Sequence, residues 1–434
     1  MKRSKILASV FTCCPAAAPG FTGGEDVLGW NLIHQIDRFH DVWAITHDED
    51  RASIEAAVKD QPDSGINFHY VGLPKWLRAM LKIQGGHQIY YYLWQVRAYF
   101  AARKLHRQQN FDLFHHITYA NDWMASFIGA LLPVPYVRGP GGGAHRTPKS
   151  LKVEYTIKGR IWEQVRSMGQ WLFRHDPFFI AGQERAAAIM LCNADSIASM
   201  PAKWAHKVHL YPVSGVPLED LALGDEQSPS YNGTDESAGF SVLSAGSLIR
   251  VKGFGLAVKA FKEFSDKYPN SRLTIYGSGP EQPHLASLVH RAQLERRVEF
   301  PGAIPRDVLL RKMAKSDVLL FPSLRDGGGT VVIEAMSVGK PVVCLDIGGP
   351  GMHITDDCGI KVRPGSPEET VSELAEALER LYTDRELRLN LGRGAHNKAA
   401  QMYTWERLGE RLMEIYRPVL GAAPAGGRGP GDPR

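Results

Sequence analysis

The amino-acid sequence predicts an α/β protein of two Rossmann-like domains that face each other across a cleft. Three observations predict it. At 434 residues the chain is too long for one ordinary core and divides in two. In each half, short apolar runs alternate with stretches of helical apolar period, the grammar of strand-helix-strand units. Between the halves lies residues 218–239, polar, acidic and rich in Gly, Ser and Pro, the composition of a linker or surface loop. The expected organisation is a first domain over 1–216, a linker over 217–239, a second domain over 240–420 and a Gly/Pro/Ala-rich, disordered tail over 421–434.

In the first half the spacing predicts a strand over 5–10, a helix over 26–37, a strand over 42–46 and later strands over 113–116 and 136–137. The basic start followed by Ile6 to Phe11 has the outline of a secretory signal. The apolar run is short, however, lacks a small-x-small cleavage site and leads into a Pro/Gly-rich loop, so a first buried strand accounts for it better. In the second half strands are expected over 240–245, 272–276, 298–300, 318–321 and 341–345, with helices over 255–267, 308–314 and 331–338. Such alternation builds an open parallel sheet whose ligands sit beyond the carboxyl ends of its strands.

Hydrophobic content of 44% with 22% charged residues is that of a globular protein, and no apolar run approaches the roughly 20 residues of a membrane-spanning helix. Cys13, Cys14, Cys192, Cys344 and Cys358 fit neither C-x-x-C metal spacing nor a disulfide framework, which suits a reducing cytosol. The adjacent Cys13 and Cys14 read as small apolar residues at a strand end. The net charge of +5 is uneven: between Lys75 and Arg185 there are 16 Lys/Arg against 6 Asp/Glu. Trp76, Tyr90, Tyr91, Tyr92, Trp94, Trp162 and Trp171 lie among them, a mixture that suits an anionic membrane surface or a phosphate-bearing acceptor. A solvated helix face over a buried aromatic core accounts for the same residues. No nucleic-acid partner is expected.

The most informative segment runs from Phe321 to Thr330 and into the helix that follows. Gly327, Gly328 and Gly329 let backbone N–H groups crowd a ligand, and the helix start adds its positive dipole end, so Gly328, Gly329 and Thr330 form a cradle for an anion such as a diphosphate. Asp326 and Glu334 bracket that cradle, one placed for sugar hydroxyls and the other for a ribose. A capped surface helix behind a Gly-rich turn is the plainer alternative. A second loop, Gly246 to Gly253, follows a strand and precedes a helix; Lys252 or Arg250 there neutralises a nucleoside diphosphate leaving group without a metal. A third, with Gly277 and Gly279, has Gln282 where a dinucleotide fingerprint wants glycine, which argues against NAD.

Together these residues resemble the family-4 retaining glycosyltransferases of the GT-B fold, and the resemblance runs from Lys5 to about Leu420. Asp326-x7-Glu334 resembles that family's E-x7-E motif with Asp in the first place. Ser316 to Ser323 resembles the strand before it, and Ala335 to Val343 the helix and strand after it. Phe21-Thr22-Gly23-Gly24-Glu25 resembles the glycine loop that approaches the donor from the other domain, and Pro212 to Val216 the interdomain segment. The family often carries Arg after the glycine of the diphosphate loop. Here Ser247 stands there, which shifts the grip to Arg250 or Lys252. The acceptor-side His is carried over to His145 in the loop Arg138 to His145, or to His116 of His115-His116-Ile117-Thr118.

The resemblance implies transfer of a sugar from a nucleotide-sugar with retention and without metal or cofactor. Asp326 would act at the transferred sugar with His145 or His116 nearby; Gly23, Gly24, Ser247, Arg250, Lys252, Gly277, Gly279, Gly328, Gly329, Thr330 and Glu334 would hold the donor. The basic, aromatic-rich helices of the first half point to a glycan, lipid-linked or small-molecule acceptor in polysaccharide or glycoconjugate synthesis with peripheral contact at the inner face of the membrane, and the cysteine usage to a cytoplasmic location. Competing readings are a metal-dependent transferase using Asp48-Glu49-Asp50, an epimerase or phosphorylase of the same fold, and a catalytically silent binding subunit.

Overall fold

The computed structural model describes residues 3–15, 24–59, 64–82, 86–154, 157–225 and 239–421. Two open sheets organise them. The first contains β1 (Lys5–Ser9), β2 (Asp41–His47), β3 (Asn67–Val71), β4 (Leu113–His116), β5 (Tyr136–Gly141), β6 (Ala186–Leu191) and β7 (Val208–Leu210), in the order β3-β2-β1-β4-β5-β6-β7. The second contains β8 (Phe240–Ala245), β9 (Ser271–Tyr276), β10 (Val298–Gly302), β11 (Val318–Phe321), β12 (Val342–Leu345) and β13 (Gly359–Val362), in the order β10-β9-β8-β11-β12-β13. Every pairing within them is parallel. Helices cover both faces, so central strands are buried throughout and read as apolar runs rather than alternations. This is the doubly wound pair of sheets that the sequence predicts.

Helix Gly24–Asp37 shows how the sequence dictates an element. Glu25 and Asp26 complement the dipole in its first turn, and Leu28, Leu32, Ile33 and Ile36 recur on one face, where they are buried against the first sheet. In the second half, Ser366 and Glu369 form a reciprocal capping box that starts the helix Pro367–Thr383.

Three features depart from the sequence expectation. Strands β3, β6, β7 and β13 arise where none was expected, and β5 runs on to Gly141. The stretch expected as linker holds a helix, Leu218–Asp225, whose Asp220 is buried; residues 226–238 and the tail over 422–434 lie outside the described residues. Finally, helix Trp405–Gly421, placed by sequence in the second half, packs into the core of the first sheet with Leu408, Leu412, Ile415 and Tyr416. Tyr416 Oη donates to His115 Nδ1 (2.6 Å), while His115 Nε2 donates to the Gly139 carbonyl (2.6 Å). The chain therefore crosses between the sheets twice. The crossings run side by side, because Val216 N donates to Tyr403 O (2.8 Å) and Trp405 N to Val216 O (3.2 Å). Among the described residues no helix is long and apolar enough to cross a membrane.

Candidate functional site

A cavity of about 580 Å³ opens between the carboxyl ends of the two sheets, the place a doubly wound architecture reserves for ligands. The first half lines it with Gly24, the glycines at the end of β5 and His145; the second half supplies Ser247, Lys252, Asp326, Thr330 and Glu334.

Lys252 and Asp326 are 74 residues apart, and backbone geometry brings them together. The carbonyl of Val251 accepts hydrogen bonds from Ser323 Oγ (3.1 Å) and from the amides of Leu324 (2.8 Å) and Arg325 (3.3 Å), lashing the Lys252 loop to the segment that precedes Asp326. Gly253 closes the loop at φ +70°, where a Cβ would lie 1.9 Å from the Pro322 carbonyl oxygen, so only glycine permits this approach. Lys252 Nζ then donates to Asp326 Oδ2 at 2.5 Å. Oδ1 of the same carboxylate accepts the amides of Gly328 (3.1 Å) and Gly329 (2.8 Å). Burial opposes the charge on Asp326, but Lys252 and the two amides outweigh it and hold the carboxyl below the usual range. Asp326 is thus ionised at neutral pH and fixed in direction. The Gly328 and Gly329 amides, expected from sequence to face an anion, are engaged by Asp326 instead. Among the described residues that line the cavity the cation is Lys252, whose Nζ also sits 5.4 Å from the Phe321 ring centroid.

Glu334 lies one turn inside helix Thr330–Ser337, buried, at the cavity wall. Its Oε1 accepts from Arg306 Nε (2.6 Å), and the same guanidinium reaches Asp220 Oδ2 (2.6 Å). Burial raises the carboxyl of Glu334 and Arg306 pulls it back only in part. One guanidinium shared by two carboxylates orients Glu334 while leaving its other oxygen uncommitted by that bond. Behind the loop, His353 donates from Nε2 to the Gly328 carbonyl (2.8 Å) and accepts at Nδ1 from Tyr403 Oη (3.0 Å). Ser214 Oγ meets Thr330 Oγ1 at 2.7 Å, tying the interdomain segment to the helix start.

On the opposite wall His145 lines the cavity, and its Nδ1 is buried with no hydrogen-bond partner among the described residues. Burial, then Arg166 and Arg325, lower its pKa to about 4, so the ring is neutral at physiological pH and available as a hydrogen-bonding group rather than a cation. An NMR titration of the histidine rings, assigned with His145→Gln, is expected to show no protonation of His145 until the pH nears about 4. A midpoint at the ordinary value of 6.5 would rule out the neutral ring. Because the folded pKa is depressed, the ring's contribution to stability is present above pH 6.5 and lost as pH falls toward about 4.

Five expected site residues are not brought to the cavity wall. His116 is buried in β4, with Nε2 bonded to Tyr91 Oη (2.6 Å) beneath helix Gly86–Gln109. Arg250 turns away to pair with Glu281 (3.0 Å). Gly277 and Gly279 stand behind the Gly246–Leu248 loop; at Gly277, with φ +135°, a Cβ would lie 1.9 Å from the Gly246 carbonyl, so its role is to let two loops touch. Gly329 caps the helix start in the left-handed region, its amide on Asp326. Gly23 lies outside the described residues. Asp48, Glu49 and Asp50 form a short turn: Asp48 and Glu49 pair with Arg78 and Asp50 accepts the Cys13 amide, away from the cavity.

Sequence reasoning missed Asp220, Arg306, His353 and Tyr403, whose bonds span sequence separations of 25 to 86 with no local pattern. It also missed Glu163, whose Oε2 accepts from Arg325 (2.6 Å), a link between the halves next to Asp326.

With this geometry in hand, the chain can be set beside the known glycosyltransferases it is similar to. Residues 235–398 match the sequence model described as Glycosyl transferases group 1. The chain is 26% identical over 266 residues to the alpha-D-kanosaminyltransferase of Streptomyces kanamyceticus, covering 60% of this chain and 66% of that protein. It is 33% identical over 247 residues to the D-inositol 3-phosphate glycosyltransferase of Paenarthrobacter aurescens, covering 56% of this chain and 59% of that one. The match thus spans less than two thirds of either relative's length. The structure of Anabaena HepE in complex with UDP superposes with a TM-score of 0.61 over 96% of this chain and 100% of that one, at 15% identity. At that identity the likeness is one of fold, two facing Rossmann-like sheets in the GT-B arrangement.

Proposed function

We propose that this chain, which carries a group 1 glycosyltransferase module on a GT-B fold, is a metal-independent, retaining hexosyltransferase of family 4. It transfers a sugar from a nucleoside diphosphate donor to a glycan, lipid-linked or small-molecule acceptor in polysaccharide or glycoconjugate synthesis, at the cytoplasmic side of a membrane. The observation that carries this reading is the Lys252–Asp326 pair at the cavity wall: one fixed cation and one fixed carboxylate, 2.5 Å apart, between two sheets.

The chemistry follows from that pair. Cleavage of the glycosyl–phosphate bond places negative charge on the departing diphosphate and positive charge on the sugar ring. Lys252 meets the first and Asp326 faces the second. Glu334, oriented by Arg306, takes the ribose hydroxyls, and Gly24 allows the diphosphate to approach helix Gly24–Asp37 from the opposite wall. The neutral His145 ring offers its unpartnered Nδ1 on the acceptor side. The UDP bound in the HepE complex supports a nucleotide-sugar donor as the class to test first.

The test is a melting-temperature screen of UDP, GDP and ADP and their sugars with chelator present. One nucleotide is expected to stabilise the protein, by about 2.7 kcal/mol at a hundredfold excess over Kd. If none of them shifts the melting temperature, the donor-site reading fails. A shift without release of nucleoside diphosphate in the presence of any acceptor would favour a binding subunit.

A further inference from the structure

We propose that helix Ile157–Arg174 docks the protein on an anionic lipid bilayer surface through its outward face. The helix is amphipathic in the reverse sense. Its inward side is polar: Glu163 and Gln170 are buried, with Arg166 and Arg174 beside them. Its outward side carries Ile161, Val165, Met168 and Leu172, at 54%, 50%, 69% and 63% exposure, spaced by four, three and four residues and therefore on one stripe. Trp162 and Trp171 flank that stripe, also exposed. A surface helix ordinarily turns such a stripe inward, and a contiguous apolar face left outward marks a contact site.

The inward polar groups are all committed. Arg166 donates to Glu163 (3.3 Å) and to the Gly143 carbonyl (2.9 Å), Gln170 donates to the same carbonyl (3.1 Å), and Arg174 pairs with Asp122 (3.2 Å). These bonds fix the orientation, so the helix cannot roll to hide its apolar side without breaking them.

Charge identifies the occupant. Asp122 and Glu163 are spent on the inward arginines, and Asp176 on Tyr92 Oη and the cap of the following helix. Arg146 and Lys149 are exposed on the segment between His145 and this helix, and Lys75 is exposed beside Trp76. A second stripe, Ile89, Leu93, Val96 and Phe100 on helix Gly86–Gln109, is exposed with the same spacing, and the Tyr92 ring of that helix lies tilted against Phe173 at 6.1 Å. An apolar face whose preceding segment carries exposed cations, and whose own Glu163 is turned inward, complements lipid tails beneath anionic head groups. A second copy would bring the same cations against themselves.

Docking places the cavity at the bilayer. The helix's inner side holds Gly143 of the cavity wall and, through Glu163, Arg325 beside Asp326. This extends the proposed function to a lipid-linked acceptor and rests on that reading for the acceptor alone, since docking is measured without turnover.

The test is co-flotation with vesicles of phosphatidylcholine and phosphatidylglycerol, against phosphatidylcholine alone, comparing wild type with Met168→Glu/Leu172→Glu. Both positions are exposed, so the double variant keeps the wild-type melting temperature. Wild type is expected to float with the anionic vesicles and the double variant to lose at least about tenfold of the bound fraction. The proposal is overturned if wild type stays unbound, if both proteins float equally, or if sedimentation shows a wild-type dimer that the double variant dissolves. Nucleotide-induced stabilisation is measured on both proteins, so failure of docking and failure of the donor site are read separately.

Discussion

Lys252→Ala is expected to lower kcat/KM by about 10²–10³-fold, with most of the loss in kcat. The diphosphate already carries charge in the bound donor and gains more as the glycosyl bond breaks, so a cation aimed at that oxygen binds the transition state better than the ground state. The substitution also strands Asp326, which depends on Lys252 to remain ionised against burial. In wild type the depressed carboxyl contributes stability above its unfolded pKa of about 3.8, and loses it as pH falls through the lower folded value. In Lys252→Ala burial acts with less opposition, the carboxyl moves upward, and the stability deficit of the variant is larger at neutral than at acid pH. Initial rates of nucleoside diphosphate release, combined with urea denaturation at both pH values, separate the two effects. An unchanged kcat/KM would place the leaving-group cation elsewhere, whereas Lys252→Arg, which keeps the charge in a different shape, is expected to recover part of the rate.

The sequence made the Asp326 loop legible because its signal is local. A short apolar run, three consecutive glycines and a helix start are contiguous, and each has a physical consequence that can be read alone. The His115–His116 pair shows the opposite case. In the middle of the sheet, flanked by β1 and β5, adjacent strand residues point to opposite faces, so His115 meets Tyr416 of the last helix and His116 meets Tyr91. Which face would hold a ligand and which a helix depends on helix Trp405–Gly421 returning from the far end of the chain. Asp220 and Arg306, the partners of Glu334, were hidden for a similar reason: each looks like an ordinary surface charge until folding stacks three separate helices. For helix Ile157–Arg174 the spacing of Ile161, Val165, Met168 and Leu172 gives a stripe without saying whether it faces in or out. Only the hydrogen bonds of the polar side decide that.

Glu334 yields the second large effect, and the structure dictates which substitution can measure it. Glu334→Ala removes one partner from a buried ion pair and leaves Arg306 facing Asp220 alone. Breaking a fully buried pair costs about 3–5 kcal/mol. Arg306 retains 35% exposure, which puts the loss at or below the lower end of that range. A weaker donor response in that variant would therefore mix lost recognition with a loosened fold. Glu334→Gln keeps the shape and an acceptor oxygen for Arg306 while removing the charge that strengthens bonds from ribose hydroxyls. It is expected to raise the Kd for the donor nucleotide at least about tenfold, by weakening two charge-assisted bonds by roughly 1 kcal/mol each, while its melting temperature without nucleotide falls only slightly. Calorimetric titration of wild type and Glu334→Gln with the nucleotide found in the screen is the check, with Arg306→Lys as companion. If Glu334 binds ribose through an orientation set by Arg306, both variants lose affinity, and the double variant loses less than the sum of the two, because the second change finds the geometry already relaxed. Equal affinity in wild type and Glu334→Gln would confine Glu334 to holding helices Leu218–Asp225, Arg306–Ala314 and Thr330–Ser337 together, and would leave ribose recognition to another wall of the cavity.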